Sequence, residues 1–132
     1  MMFYVVMLTV NGTFGRIPQK HSITEYEELR GYIELLPCPY EWFELVRVEI
    51  GEYKYIIVLD ESGLLKDFQI NQNASRLYGG SNDFIVGDVL VFSDHGDEEM
   101  YAMTEEECDV LERAVSSSYT IGHNENETAV VI

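Results

Sequence analysis

Positive charge is what this chain has least of. Its 132 residues carry 8 lysines and arginines against 24 aspartates and glutamates, a formal net charge of −16. A nucleic-acid backbone is bound through a surface of lysine and arginine, so direct nucleic-acid binding is not expected. Docking on an anionic membrane surface is not expected either. The balance permits a protein partner with a basic surface, a divalent cation, or high solubility alone. Cysteine is also scarce: Cys38 and Cys108 lie far apart and form no C-x-x-C pair. Free thiols in a reducing compartment are the expectation. No apolar run approaches the ~20 residues needed to span a bilayer. The opening MMFYVVMLTV has neither a basic n-region nor a small-residue cleavage site, so it does not read as a signal peptide. The chain is read as a cytoplasmic protein.

What is present is enough for one core. Apolar residues make up 46% of the chain, and the length fits one domain. Residues 1–118 are read as that domain. Residues 119–132 are read as a polar tail, either disordered or adding a terminal edge strand. The two strongest apolar runs, Tyr55–Leu59 and Phe84–Phe92, read as buried strands around a polar connector.

Turn and cap chemistry divides the remainder. Phe3–Val10 is rich in β-branched and aromatic residues and stops at Asn11-Gly12, a type I′ hairpin signal returning through Thr13–Ile17. Thr24-x-x-Glu27 is a capping-box pattern that opens a short helix to Arg30, with Gly31 as its stop. Tyr32–Leu36 is expected as a strand, broken by Pro37 and Pro39. Tyr40–Ile50 alternates as a partly exposed strand, and Asp60-Glu61-Ser62-Gly63 reads as a turn in which Gly63 takes a positive φ. Leu64–Ile70 is expected to be extended. Asn71 caps a short helix over Ala74, Leu77 and Tyr78 that ends at Gly79-Gly80. Thr104–Glu107 is a second capping box, opening an amphipathic helix with Cys108, Leu111 and Val115 on its apolar face. The expected fold class is α+β: a mainly antiparallel, bent β-sheet with two or three short helices.

The order of these pieces resembles a known family. TEYEELRGYIELLP is similar to its helix-to-strand segment, YIIVLDESGLLKDFQIN to its "lvvvcDEegklkglplN", SNDFIVGDVLVFSD to its "gdvivGtvvvvgd", and MTEEECDVL to its C-terminal "sLtdeevekl" helix. The chain thus resembles, from about Phe3 to Glu112, the domain-of-unknown-function family numbered 3846, found in bacteria, their phages and mobile elements. It departs at Gly31, where the family usually has two glycines. The Tyr40–Glu52 hairpin and the tail after Val115 look like additions. The resemblance implies a cellular context and no activity.

Candidate chemistry concentrates in the connector. Asn71, Asn73 and Arg76, with Tyr78, Gly79, Gly80, Ser81 and Asn82, combine a helix start, amides, a guanidinium able to clamp an anion, and glycines that allow close approach. The ordinary reading of the same residues is an N-cap, a C-cap and a surface arginine. There is no Walker A and no G-x-G-x-x-G. Asp60-Glu61 is first of all turn chemistry. His21, His95 and His123 are scattered, and no metal or cofactor is expected. Cys38 lacks a basic neighbour that would activate it, and Cys108 reads as a core thiol. The aromatics Tyr40, Trp42, Phe43, Tyr53 and Tyr55 either pack in the core or mark an interface.

No catalytic constellation is legible, so the expected role is binding. The favoured expectation is a small acidic accessory protein that engages a protein partner through Trp42 and carboxylates such as Glu98, Glu99, Glu105 and Glu106, with mimicry of a nucleic acid as one form of this. The alternatives are a nucleotide-like anion held by the 71–82 connector, or a structural domain with no catalytic role.

Overall fold

The apolar run that ends at Asp60 sets the architecture. In a computed structural model of the chain, residues 2–37, 39–63, 68–78 and 84–116 are described in full, and 121–123 and 129–131 by their backbone. The strands are β1 (Phe3–Leu8), β2 (Phe14–Gln19), β3 (Ile23–Thr24), β4 (Phe43–Ile50), β5 (Tyr53–Asp60), β6 (Val89–Ser93), β7 (Met100–Tyr101), β8 (Ile121–His123) and β9 (Ala129–Val131). The helices are α1 (Tyr26–Glu34), α2 (Gln72–Tyr78) and α3 (Glu105–Val115). The main sheet has the order β2-β1-β6-β5-β4, and β7 joins β6 to β3. Every pairing in it is antiparallel. The α+β expectation is therefore met. β8 and β9 pair with each other outside the main sheet.

Alternation along the central strands builds two cores. Val6, Leu8, Tyr55, Ile57, Val89 and Val91 face α2 and α3, meeting Leu77, Cys108, Leu111 and Ala114. Val5, Ile56, Val58, Leu90 and Phe92 face α1, meeting Leu29 and Ile33. With both faces covered, β5 and β6 read as continuous apolar runs. Each fully buried aliphatic side chain among them contributes about 1.5–3 kcal/mol by burial.

Several local expectations are corrected. α1 does not stop at Gly31 and Tyr32–Leu36 is not a strand: the helix continues to Glu34. Leu29 and Ile33, one turn apart, are both fully buried, and that burial outweighs the ~1 kcal/mol that a mid-helix glycine costs. The capping box of α1 is also one residue later than expected. The Glu28 carboxylate accepts from the Glu25 backbone N–H at 3.1 Å, while Thr24 lies in β3 and donates to Gln19. The Asn11-Gly12 hairpin forms with a longer loop than a two-residue type I′ turn. Thr9 and Thr13 close it (3.1 Å), the Gly12 N–H donates to the Thr9 carbonyl (3.0 Å), and Gly12 takes φ +92°, the arrangement of a three-residue hairpin loop.

Of the glycines on either side of the connector, Gly63 has a different duty from the one expected. Gly63 is not among the positive-φ glycines. It is required by space, since a Cβ there would sit 2.9 Å from Val86 Cγ2. The last long strand begins at Val89 and not at Phe84. Gly87, at φ +81°, turns the chain just before it, with Phe68 2.8 Å from where a Cβ would be. Ahead of that corner Val86 makes a single bridge to Ile70 and the Gly87 N–H donates to the Gln69 carbonyl at 2.8 Å; residues 64–67 of the expected extended segment lie outside the described residues.

Candidate functional site

Asn71 is the residue whose role the fold changes most. It is fully buried. Its Oδ1 accepts from the Ala74 N–H at 3.1 Å, as an N-cap should. Its Nδ2 donates to the Leu8 carbonyl and to the Gly87 carbonyl, both at 2.9 Å. Its backbone N–H donates to Ile85 at 2.8 Å, and its carbonyl accepts from Ser75 at 2.9 Å. Of the N–H groups at this helix start, those of Ala74 and Ser75 are thus both taken by Asn71. Ser75 extends the clamp, exchanging hydrogen bonds with the Ile85 backbone. The start of α2 is a fastener joining β1, the Gly87 corner and the segment ahead of it.

The other connector residues separate. Tyr78 packs against the core shared with α3. Gly79, Gly80, Ser81 and Asn82 lie outside the described residues. Arg76 points across to α3, where its Nη1 donates to the Val115 carbonyl at 3.3 Å and the Ser116 carbonyl at 3.5 Å. This places a cation on the negative end of the helix dipole. Asn73 and Arg76 do share an open cavity of about 430 Å³ with Gly12, Phe14, Glu112, Val115 and Ser116. Glu112 in its wall opposes an anionic ligand.

The remaining arginines are engaged in the same inward fashion. Arg16 on β2 bridges Asp109 (2.9 Å) and Glu112 (2.8 Å) of α3 and lies over the Tyr4 and Phe14 rings. Its two carboxylate partners raise its pKa further. Arg30 donates to the Glu41 carbonyl at 3.0 Å and the Tyr40 carbonyl at 3.4 Å. Arg47 pairs with Asp94 at 2.9 Å. Arg113 donates from Nε to the Asp109 carbonyl at 3.3 Å. Each guanidinium is tied to a carboxylate or carbonyl of its own chain.

The carboxylates proposed from sequence for an interface are exposed. Glu98 and Glu99 follow the β6–β7 turn, and Glu105 and Glu106 form the first turn of α3. None of the four is in an ion pair with another described residue. The third glutamate of that turn differs. Glu107 closes the capping box with Thr104 (3.0 and 3.2 Å) and accepts from Ser93 Oγ. Beside it the Tyr55 hydroxyl donates to the Glu107 carbonyl at 2.7 Å; burial, foremost, keeps this phenol protonated well beyond the usual range.

The remaining candidates have structural duties. Asp60 accepts from the Ser62 N–H at 2.9 Å within its turn. His95 stacks on Tyr101 with ring centroids 3.7 Å apart. The Tyr101 hydroxyl donates to Asp97 at 2.6 Å, which lowers the Asp97 pKa. Cys108 is fully buried, and burial pushes its thiol up to about 11. Cys38 and the His123 side chain lie outside the described residues. Among the described residues no three His, Cys, Asp or Glu side chains are grouped to hold a metal ion, and no helix is long and apolar enough to cross a membrane.

The aromatics divide as well. Tyr40 and Tyr55 are core residues, with the Tyr40 hydroxyl donating to the Val58 carbonyl at 3.2 Å. Trp42 is 66% exposed. Sequence reasoning missed Tyr26, which is 64% exposed and whose ring lies 6.4 Å from Phe43. The available signal was its place at the polar first turn of a helix, where an aromatic has no core to face. Comparison with known proteins returns no family model, no curated protein and no solved structure that matches this chain.

Proposed function

We propose that this is a small acidic binding protein whose partner is a protein with a basic surface. The observation that carries the reading is the disposition of charge. All the described arginines are held by groups of their own chain, while Glu98, Glu99, Glu105 and Glu106 stand exposed without cationic partners. Such a surface attracts a basic partner and accelerates its approach. Close mimicry of a phosphate backbone is the weaker form of this reading. A row along α3 would use Glu105, Asp109 and Glu112, and Arg16 neutralises the last two. The resemblance to the 3846 family bears only on context, a bacterium, phage or mobile element.

The test is affinity capture from bacterial lysate at low salt. Three proteins are compared: wild type, a variant with Glu98, Glu99, Glu105 and Glu106 changed to Gln, and a control with four other exposed glutamates changed. A basic protein retained by wild type and control but lost by the first variant is expected. Equal loss in both variants, or no specific capture, overturns the reading. A nucleotide-like ligand in the Arg76 cavity is the lesser alternative, supported by Asn73 and Arg76 lining one space. It requires a thermal shift with nucleotides that Arg76→Ala removes.

A further inference from the structure

Two helices and a hairpin meet at one cavity. α2 brings Asn73 and Arg76, three residues apart and so on one face of the helix. The end of α3 brings Glu112 and Val115, and the β1–β2 hairpin brings Gly12 and Phe14. The space they enclose is about 430 Å³, within the range of small-molecule sites. Its walls are mixed. A guanidinium, a carboxylate and an amide share it with the apolar side chains of Phe14 and Val115.

The three polar groups keep bonding capacity. Arg76 uses Nη1 alone, in two long contacts to the Val115 and Ser116 carbonyls at 3.3 and 3.5 Å. Its Nε and Nη2 bond to no other described residue. Glu112 gives Oε1 to Arg16 at 2.8 Å, and its Oε2 bonds to no other described residue. The Asn73 side-chain amide likewise has no described partner. A guanidinium carries five donors and a carboxylate accepts at about four positions, so one internal partner leaves each able to hold a ligand.

The charge balance selects the ligand. An anion entering here meets Glu112 and the repulsion of a chain at −16. A cation meets Arg76, and finds Glu112 already shared with Arg16. A molecule that carries both charges is neutral overall, escapes the repulsion and satisfies both walls. The apolar remainder of the lining suits a hydrocarbon side chain on that molecule.

We propose that this cavity binds a free α-amino acid with an apolar side chain. Arg76 takes the carboxylate, with the Asn73 amide donating beside it. Glu112 takes the ammonium group, and the side chain lies against Phe14 and Val115. The proposal rests on the lesser, small-ligand reading of the Arg76 cavity, with a zwitterion in place of a nucleotide. It is independent of the basic protein partner.

Isothermal titration calorimetry on the full chain tests it. The probes are leucine and phenylalanine, with N-acetyl-leucine lacking the ammonium charge and leucinamide lacking the carboxylate. At least one of the two amino acids is expected to bind saturably. Each leucine derivative is expected to bind about tenfold or more weakly than leucine, the loss of one hydrogen bond between charged groups. Arg76→Gln should abolish the preference for leucine over leucinamide, and Glu112→Gln the preference over N-acetyl-leucine. Those ratios are read within each variant, so a general loosening of the fold does not reproduce them. Arg113→Gln, which alters a neighbouring cavity that Arg76 does not line, leaves leucine binding within twofold. The derivative series on wild type decides the matter even where a variant fails to fold. Absence of binding by both amino acids overturns the proposal. So does equal binding of either derivative, or a loss in Arg113→Gln as large as in Arg76→Gln. If a nucleotide binds through Arg76 and the amino acids do not, the zwitterion is lost and the anion reading of the cavity stands. If neither binds, both fall, and the protein-partner reading is untouched.

Discussion

At the scale of single residues, two buried groups make the sharpest demands. Asn71 supplies two donors and one acceptor to backbone groups from three parts of the chain. Removing one partner of a buried hydrogen bond costs about 1–3 kcal/mol, so Asn71→Ala is expected to lose about 3 kcal/mol or more. Asn71→Asp keeps the cap acceptor but sets a carboxylate against the Leu8 and Gly87 carbonyls, and is expected to be no better. Urea unfolding of both variants checks this, and a loss below ~1 kcal/mol in each would remove Asn71 from its assigned role. Cys108 sets an alkaline limit. Its thiol is raised to about 11 in the fold, so above its unfolded value the unfolded chain releases a proton that the folded chain keeps. Stability is full below about pH 9 and falls as pH rises toward 11, by on the order of 2 kcal/mol. Tyr40 and Tyr55, also raised chiefly by burial, act in the same direction at still higher pH. Unfolding curves between pH 8 and 11 should show this decline, and Cys108→Ala should flatten its first part.

At the scale of elements, the glycines show how much of the fold the sequence discloses. Gly31 has the look of a helix stop, yet it lies inside α1 with open space where a Cβ would be. Gly31→Ala is therefore expected to stabilise the protein by about 0.5–1 kcal/mol. Gly87→Ala should do the reverse, because φ is +81° and Phe68 occupies the space. Thermal melts of the two variants should move in opposite directions. β1, β5, α2 and α3 were legible because caps and apolar periodicity agree there. Gly31 was not, because what carries α1 through it is the burial of Leu29 and Ile33 against β-strands distant in sequence. The same holds for the site. The exposed glutamates of α3 could be placed from the helix period, whereas the inward turn of Arg76 depends on where α3 ends in space. The pairing of Tyr26 with Phe43 depends likewise on the docking of a helix beside a strand.

At the scale of the whole molecule, self-repulsion is the governing cost. A net charge of −16 on 132 residues destabilises the compact state, and salt screens it over about 8 Å at physiological strength. Raising NaCl from about 10 mM to 150 mM, across which screening tightens severalfold, is expected to raise Tm by several degrees. An unchanged or falling Tm would show that the Arg16 and Arg47 ion pairs outweigh the repulsion. The sheet order carries a consequence of a different kind, in time. β1 is made well before its inner neighbour β6, which begins at Val89. During synthesis the β1–β2 hairpin must wait, the other edge of β1 unpaired, until β6 has emerged. Pairings this distant in sequence slow folding, so the nascent β1–β2 hairpin is the stage at which this protein is most open to misassembly or to a chaperone.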